Sequence, residues 1–211
     1  MMTELISPQA AVHPSARIAD SVEIGPHCVV GPDVEIQAGT RLIANVVIRG
    51  HVTIGRYNLI HPGTVIGGEP QDISYLDEST SVTIGNHNII RECVTINRGT
   101  MKDCGNTAVG DHCYFMACSH VAHDCQIGDH VIMANGTMLG GHCRVQDFAS
   151  ISGAVAVHHF VTIGSYAFVG GMSRVLQDVP PFMLNEGQPA KPRCVNLVAL
   201  KRNEFPQDVI K

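Results

Sequence analysis

An aliphatic side chain recurs at every sixth position of this chain, and few folds accommodate that spacing. Counting from Val12, the series runs Ile18, Ile24, Val30, Ile36, Leu42, Ile48, Ile54, Ile60 and Ile66 without an exception. It continues through Ile84, Ile90 and Ile96, in phase because Ile84 lies 18 residues after Ile66. A second break shifts the phase by one. The series resumes at Val109 and passes through Phe115, Val121, Ile127, Met133, Leu139, Val145, Ile151, Val157, Ile163 and Val169 to Val175, before Pro180-Pro181. Gly often follows the aliphatic residue, as at Gly25, Gly55, Gly110 and Gly164.

A period of six matches neither the 3.6 of an amphipathic helix nor the 2 of an alternating strand. Short fixed repeats of this kind read as a parallel β-helix, each hexad giving one short strand and one corner. With three hexads to a triangular turn, the series makes about eight coils. Burial of one aliphatic side chain contributes roughly 1.5–3 kcal/mol, and ordering each residue's backbone costs roughly 1–2 kcal/mol. A lone hexad therefore cannot hold its shape, and stability has to come from stacked neighbours. An aromatic content of 5% with no Trp suits such a thin, repetitive core.

The expected organisation is an all-β solenoid over residues 1–179, with loops at 67–83 and 97–108 leaving the prism. Residues 180–211 are expected to hold a linker and the start of a helical segment. Within it, 185–192 reads as turn-rich linker and 195–202 as helix, with Lys201 and Arg202 favourable near its C-terminus. Pro206-Gln207-Asp208 reads as the opening of another helix.

The net charge of −5 argues against nucleic-acid binding, which needs a surplus of Lys and Arg. Six of the fourteen basic residues nevertheless fall in the last 38 positions, where a local patch could dock an acidic partner. No signal peptide is evident, and no apolar run reaches the roughly 18 residues of a membrane helix. Eight cysteines without a Cys-x-x-Cys pair suit reduced thiols and a cytoplasmic setting. Cys125 and Cys143 read as small wall-fillers.

The chemistry concentrates at Cys118-Ser119-His120-Val121-Ala122-His123-Asp124-Cys125. Coil arithmetic stacks His159 two coils above His123 and His142 one coil above Asp124, with His158 beside His159. Four or five imidazoles and a carboxylate therefore converge on one edge. An imidazole titrates near neutral pH and serves as a general base, and a neighbouring carboxylate holds its tautomer. Adjacent strand residues face opposite ways, so Asp124 reaches His123 only at a corner. No Ser or Cys is paired to argue for a covalent intermediate. The remaining histidines, His13, His27, His51, His61, His87, His112 and His130, read as ordinary surface residues.

Together with the hexads, the segments Pro70-Gln71-Asp72, Ile90 to Thr100, His120 to Cys125, Gly140-Gly141-His142, Val157-His158-His159-Phe160 and Gln177-Asp178-Val179-Pro180-Pro181 carry a resemblance. The sequence resembles the UDP-N-acetylglucosamine O-acyltransferases of lipid A synthesis, within the hexapeptide-repeat acyltransferases. The resemblance implies a left-handed parallel β-helix and a homotrimer with sites between subunits. It implies transfer of an (R)-3-hydroxyacyl group from acyl carrier protein to the 3-hydroxyl of UDP-N-acetylglucosamine. No cofactor or metal is called for beyond the phosphopantetheine that carries the donor. By position, His123 would be the base, Asp124 its support, and the Gly141 N–H the donor to the oxyanion. Gln71, Asp72, His120, His142, His158 and His159 would line the nucleotide-sugar site. Asn196 and Arg202 would touch the phosphopantetheine arm, and Gly171 would set acyl length. The sequence departs from the family's usual residues at Ser74, Asn97, Val198, Asn203 and His159.

Two other readings remain open on the residues alone. One is a zinc lyase resembling the γ-carbonic anhydrases, with His120, His123 and His142 as ligands. The other is a non-enzymatic scaffold.

Overall fold

A computed structural model describes residues 5–206 and residue 208. Twenty-five short strands from Ala11–Val12 to Arg174–Val175 wind into a prism of three parallel sheets. The first face holds nine strands, from Ala11–Val12 to Arg174–Val175, and the second holds eight, from Arg17–Ile18 to Thr162–Ile163. The third begins at Glu23–Ile24 and reaches ten strands by adding two from the C-terminal segment. The winding is left-handed, against the usual right-handed preference of parallel crossovers.

The period-six series is the core. From Ile24 to Val175, every residue of the series is at most 5% exposed. Val12 and Ile18 are only partly buried, because the first coil is covered on one side alone. Consecutive coils exchange backbone hydrogen bonds, such as the 2.9 Å bond from Gly140 N–H to the Val157 carbonyl. Each face is thus a continuous parallel ladder.

Both loops are shorter than expected. The strands Val65–Gly68 and Ser81–Ile84 take up the ends of the first, leaving 69–80. Thr95–Asn97 and Asn106–Val109 reduce the second to 98–105. The phase argument for the first loop also needs correcting. Ile84 does not stack on Ile66; it stands on the next face, on Ile54, while Ile66 pairs with Ile48 and Ile96. The insertion has a length of whole hexads, so the spacing is preserved although the face changes. The slip before Val109 is absorbed by the second loop, and Val109 lands in register on Ile84.

The segment 185–192, expected to be linker, is β-hairpin. Met183–Gly187 joins the third face parallel to Phe168–Val169, and Ala190–Val195 pairs with it antiparallel. The linker reading rested on its Gly and Pro residues, which turn out to serve the tight turn between two strands. A helix follows at Leu197–Arg202, with the Asn196 carboxamide oxygen accepting from the Ala199 N–H at its N-terminus. The expected helix opening at Pro206-Gln207-Asp208 runs into residues outside the described set.

The corner between the second and third faces carries a column of stacked rings: Tyr57, His87, His112, His130, Phe148 and Tyr166, then Phe182. Successive centroids within it are 4.5–5.6 Å apart, so three histidines read as plain surface are cemented into a coil-to-coil stack.

Candidate active site

Both loops and the histidine cluster leave the prism at one edge, the corner between the first and second faces. Loop 69–80, loop 98–105 and the corners at 122–125, 140–143 and 158–161 follow one another up this ridge. The periodicity places them there, since each corner is three hexads from the next.

Asp124 adopts a left-handed backbone conformation, φ 60°, which aspartate tolerates better than most residues. That corner lets neighbouring side chains meet. His123 Nδ1 lies 2.8 Å from Asp124 Oδ2, and the two residues are 7% and 1% exposed. An ionised carboxylate has no proton to give, so Nδ1–H donates and Nε2 keeps its lone pair. Asp124 is fixed by three further bonds. Its Oδ1 accepts from the Thr100 N–H at 2.8 Å, its Oδ2 from the Thr100 hydroxyl at 2.7 Å, and its own N–H donates to Thr107 Oγ1 at 2.8 Å.

His142 stands edge-on to His123, with ring centroids 5.0 Å apart, and stacks on Phe160 at 4.4 Å. Its Nδ1 is 3.2 Å from Asp103 Oδ2, and its Nε2 is 3.8 Å from Asp124 Oδ2. His120 pairs through Nδ1 with Thr95 Oγ1 at 2.7 Å. Burial, then the nearby His123, pushes the His120 pKa down. Burial together with His158, His123 and His142 lowers that of His159 as well. Both favour neutral imidazoles beside the base.

Gly141 touches His123 so closely that a Cβ there would lie 2.5 Å from the ring's Cε1. Its N–H is not free, as the oxyanion expectation required: it donates to His159 Nδ1 at 2.9 Å. His158 is exposed, its ring nitrogen near the His159 carbonyl.

On the first loop, Gln71 is exposed, while Asp72 accepts from the Ser74 N–H and hydroxyl, both at 2.9 Å. Lys102, from the second loop, pairs with the other Asp72 oxygen and holds that carboxyl below its ordinary range. Cys125 and Cys143 are fully buried, and their thiols donate to the Gly140 and His158 carbonyls. Contact with Cys143 and burial push the Cys125 pKa up, which suits wall-filling.

Three expected residues lie elsewhere on the chain. Asn196 and Arg202 border a groove of about 650 Å³ on the third face, opposite the ridge, beside the helix and the aromatic column. The Asn196 side chain is already committed, to its helix cap and to the Tyr166 carbonyl at 2.9 Å. Gly171 is exposed at the remaining corner, between the third and first faces. The zinc triple also fails to assemble. Among the described residues, the set able to share an ion is His123, Asp124 and His142, and His120 is engaged with Thr95. Sequence reasoning overlooked Thr100, which grips both oxygens of Asp124. The signal was available: the one-residue phase slip marks loop 98–105 as a tailored insertion.

A bacterial transferase hexapeptide profile (six repeats) matches residues 33–68 and 106–141, and the profile of domain 2 of UDP N-acetylglucosamine O-acyltransferase matches residues 178–211. The acyl-[acyl-carrier-protein]–UDP-N-acetylglucosamine O-acyltransferase of Stutzerimonas stutzeri is 43% identical over 206 residues, covering 98% of this chain and 80% of that protein. This chain belongs to the UDP-N-acetylglucosamine O-acyltransferase family. The enzyme of that name from Pseudomonas putida KT2440 is 45% identical, with 97% and 80% covered. Among solved members of the family, that of Acinetobacter baumannii superposes with a TM-score of 0.96 at 40% identity, covering 98% of this chain and 80% of that one. That of Arabidopsis gives 0.85 at 37% identity, covering 97% and 78%. The resemblance carried by the loops and histidine segments thus extends along almost the whole chain.

Proposed function

We propose that this chain is an acyl-[acyl-carrier-protein]–UDP-N-acetylglucosamine O-acyltransferase, as its family membership indicates, and that the transfer is direct. The acyl group is an (R)-3-hydroxyacyl chain, the acceptor is the 3-hydroxyl of the glucosamine, and the reaction is the first step of lipid A synthesis. His123 Nε2 takes the hydroxyl proton as the oxygen attacks the thioester carbonyl carbon. The tetrahedral intermediate collapses with cleavage of the C–S bond, and the departing thiolate recovers the proton from His123. Asp124 stabilises the imidazolium between the two steps. The Gly141 N–H serves the carbonyl oxygen once His159 Nδ1 gives up that bond.

The buried His123–Asp124 pair, with Nε2 left as the free base, carries this reading. Gln71, Asp72, His120, His142 and His158 line the same ridge for the nucleotide sugar. Asn196, Arg202 and Gly171 lie away from it, so one chain does not complete the site. A homotrimer that sets the ridge of one subunit against its neighbour completes the site, and the groove beside Asn196 and Arg202 receives the phosphopantetheine arm of the acyl carrier protein. Among the described residues, no helix is long and apolar enough to cross a membrane.

The test is purified protein with UDP-N-acetylglucosamine and a set of 3-hydroxyacyl carrier proteins, the products identified by mass. His123→Ala should lower turnover by about 10²–10⁴-fold. Wild-type turnover in that variant would defeat the assignment.

A further inference from the structure

Asp124 Oδ2 has two imidazoles to choose between. His123 Nδ1 is 2.8 Å away and His142 Nε2 is 3.8 Å away. A carboxylate on a short side chain can turn about its terminal bond, and that rotation is broad and soft. Something must aim it, and the second loop is shaped to do so.

Thr100 holds both carboxylate oxygens, through its N–H and its hydroxyl, and is itself 3% exposed. The loop reaches this position by a close approach of its two ends. A Cβ on Gly99 would lie 2.3 Å from the Asn106 nitrogen, 2.4 Å from the Gly105 carbonyl carbon and 2.8 Å from Asp124 Oδ1, so only glycine admits the path. The competing imidazole is also tied from this loop, since Asp103 Oδ2 faces His142 Nδ1 at 3.2 Å. Lys102, between them, fastens the loop to Asp72. Three residues within 100–103, namely Thr100, Lys102 and Asp103, therefore contact the dyad, the first loop and the rival histidine.

We infer that Thr100 is the positioning residue of the His123–Asp124 pair: it aims the Asp124 carboxylate at His123 rather than His142, and so fixes His123 with Nδ1 protonated and Nε2 bare. This rests on the acyl-transfer reading for its kinetic consequence but not for the tautomer. Without the hydroxyl, the carboxylate shares itself with His142, and His123 loses both its orientation and the negative charge that supports its protonated form.

The experiment uses Thr100→Val, which keeps the shape and the N–H, and Thr100→Ser, which keeps the hydroxyl. In Thr100→Val, turnover should fall about 10–100-fold, with KM for UDP-N-acetylglucosamine and for the acyl carrier protein unchanged. The acid limb of the pH profile should move to lower pH, and Thr100→Ser should restore both properties. Nitrogen NMR of the imidazoles, which needs no turnover, should show Nδ1–H at His123 in the wild type and mixed tautomers in Thr100→Val. An unchanged His123 tautomer in Thr100→Val overturns the inference, as does equal loss in both variants with matching drops in melting temperature. If the wild type transfers no acyl group yet the tautomer shift appears, the functional reading fails and the positioning role stands.

Discussion

Gly141→Ala tests a contact of the base itself that depends on a missing methyl group. The new Cβ would lie 2.5 Å from His123 Cε1, 2.6 Å from Nε2 and 3.0 Å from Nδ1, whereas ordinary contacts begin at 3.4 Å. The ring must therefore retreat by about 0.9 Å. It is boxed in by the edge contact with His142 and by the 2.8 Å bond to Asp124, so the retreat breaks the pairing that orients it. A displacement near 1 Å at a reacting group costs about 10²-fold in rate, equivalent to about 2.7 kcal/mol in the barrier. The backbone at Gly141 is not left-handed, so alanine is conformationally acceptable, and the oxyanion N–H is retained. The expected result is a turnover about 100-fold lower and a melting temperature, followed by circular dichroism, within a few degrees of wild type. Gly31→Ala is the control, because its methyl meets nothing closer than 3.4 Å, and it should behave as wild type. Turnover in Gly141→Ala within twofold of wild type would refute the reasoning, since the base could then function well out of its present position.

Burial lowers the pKa of His120 in the fold, so the unfolded chain, with a histidine near 6.5, takes up a proton that the native state refuses. Stability should accordingly fall as pH drops below about 6.5, and thermal melts of His120→Asn between about pH 5.5 and 7.5 should show a shallower dependence than wild type; an equal slope would contradict the burial argument. Of the eight cysteines, Cys93, Cys104, Cys118 and Cys194 are exposed, while Cys28, Cys113, Cys125 and Cys143 are buried, with burial pushing Cys113 up to about 12. A thiol reagent at neutral pH should modify no more than the four exposed thiols quickly and all eight after denaturation; rapid native modification of Cys113 or Cys125 would contradict the packing.

The period-six series determined the prism, the number of coils and the edge on which His120, His123, His142, His158 and His159 gather, because a repeat that buries one aliphatic residue per hexad leaves the winding little freedom. It could not assign faces across an insertion. Ile84 keeps the spacing from Ile66 yet stacks on Ile54, since any loop built of whole hexads preserves the phase. Nor could it see the bonds made between side chains distant in sequence. Thr100 on Asp124, Lys102 on Asp72 and the engagement of the Gly141 N–H by His159 all depend on where a loop lands after it leaves the ladder. The separation of Asn196 and Arg202 from the histidine ridge is of the same kind. A short-range repeat dictates which residues face inward, whereas the choice of partner for an outward polar group is made only when three-dimensional packing brings its competitors together.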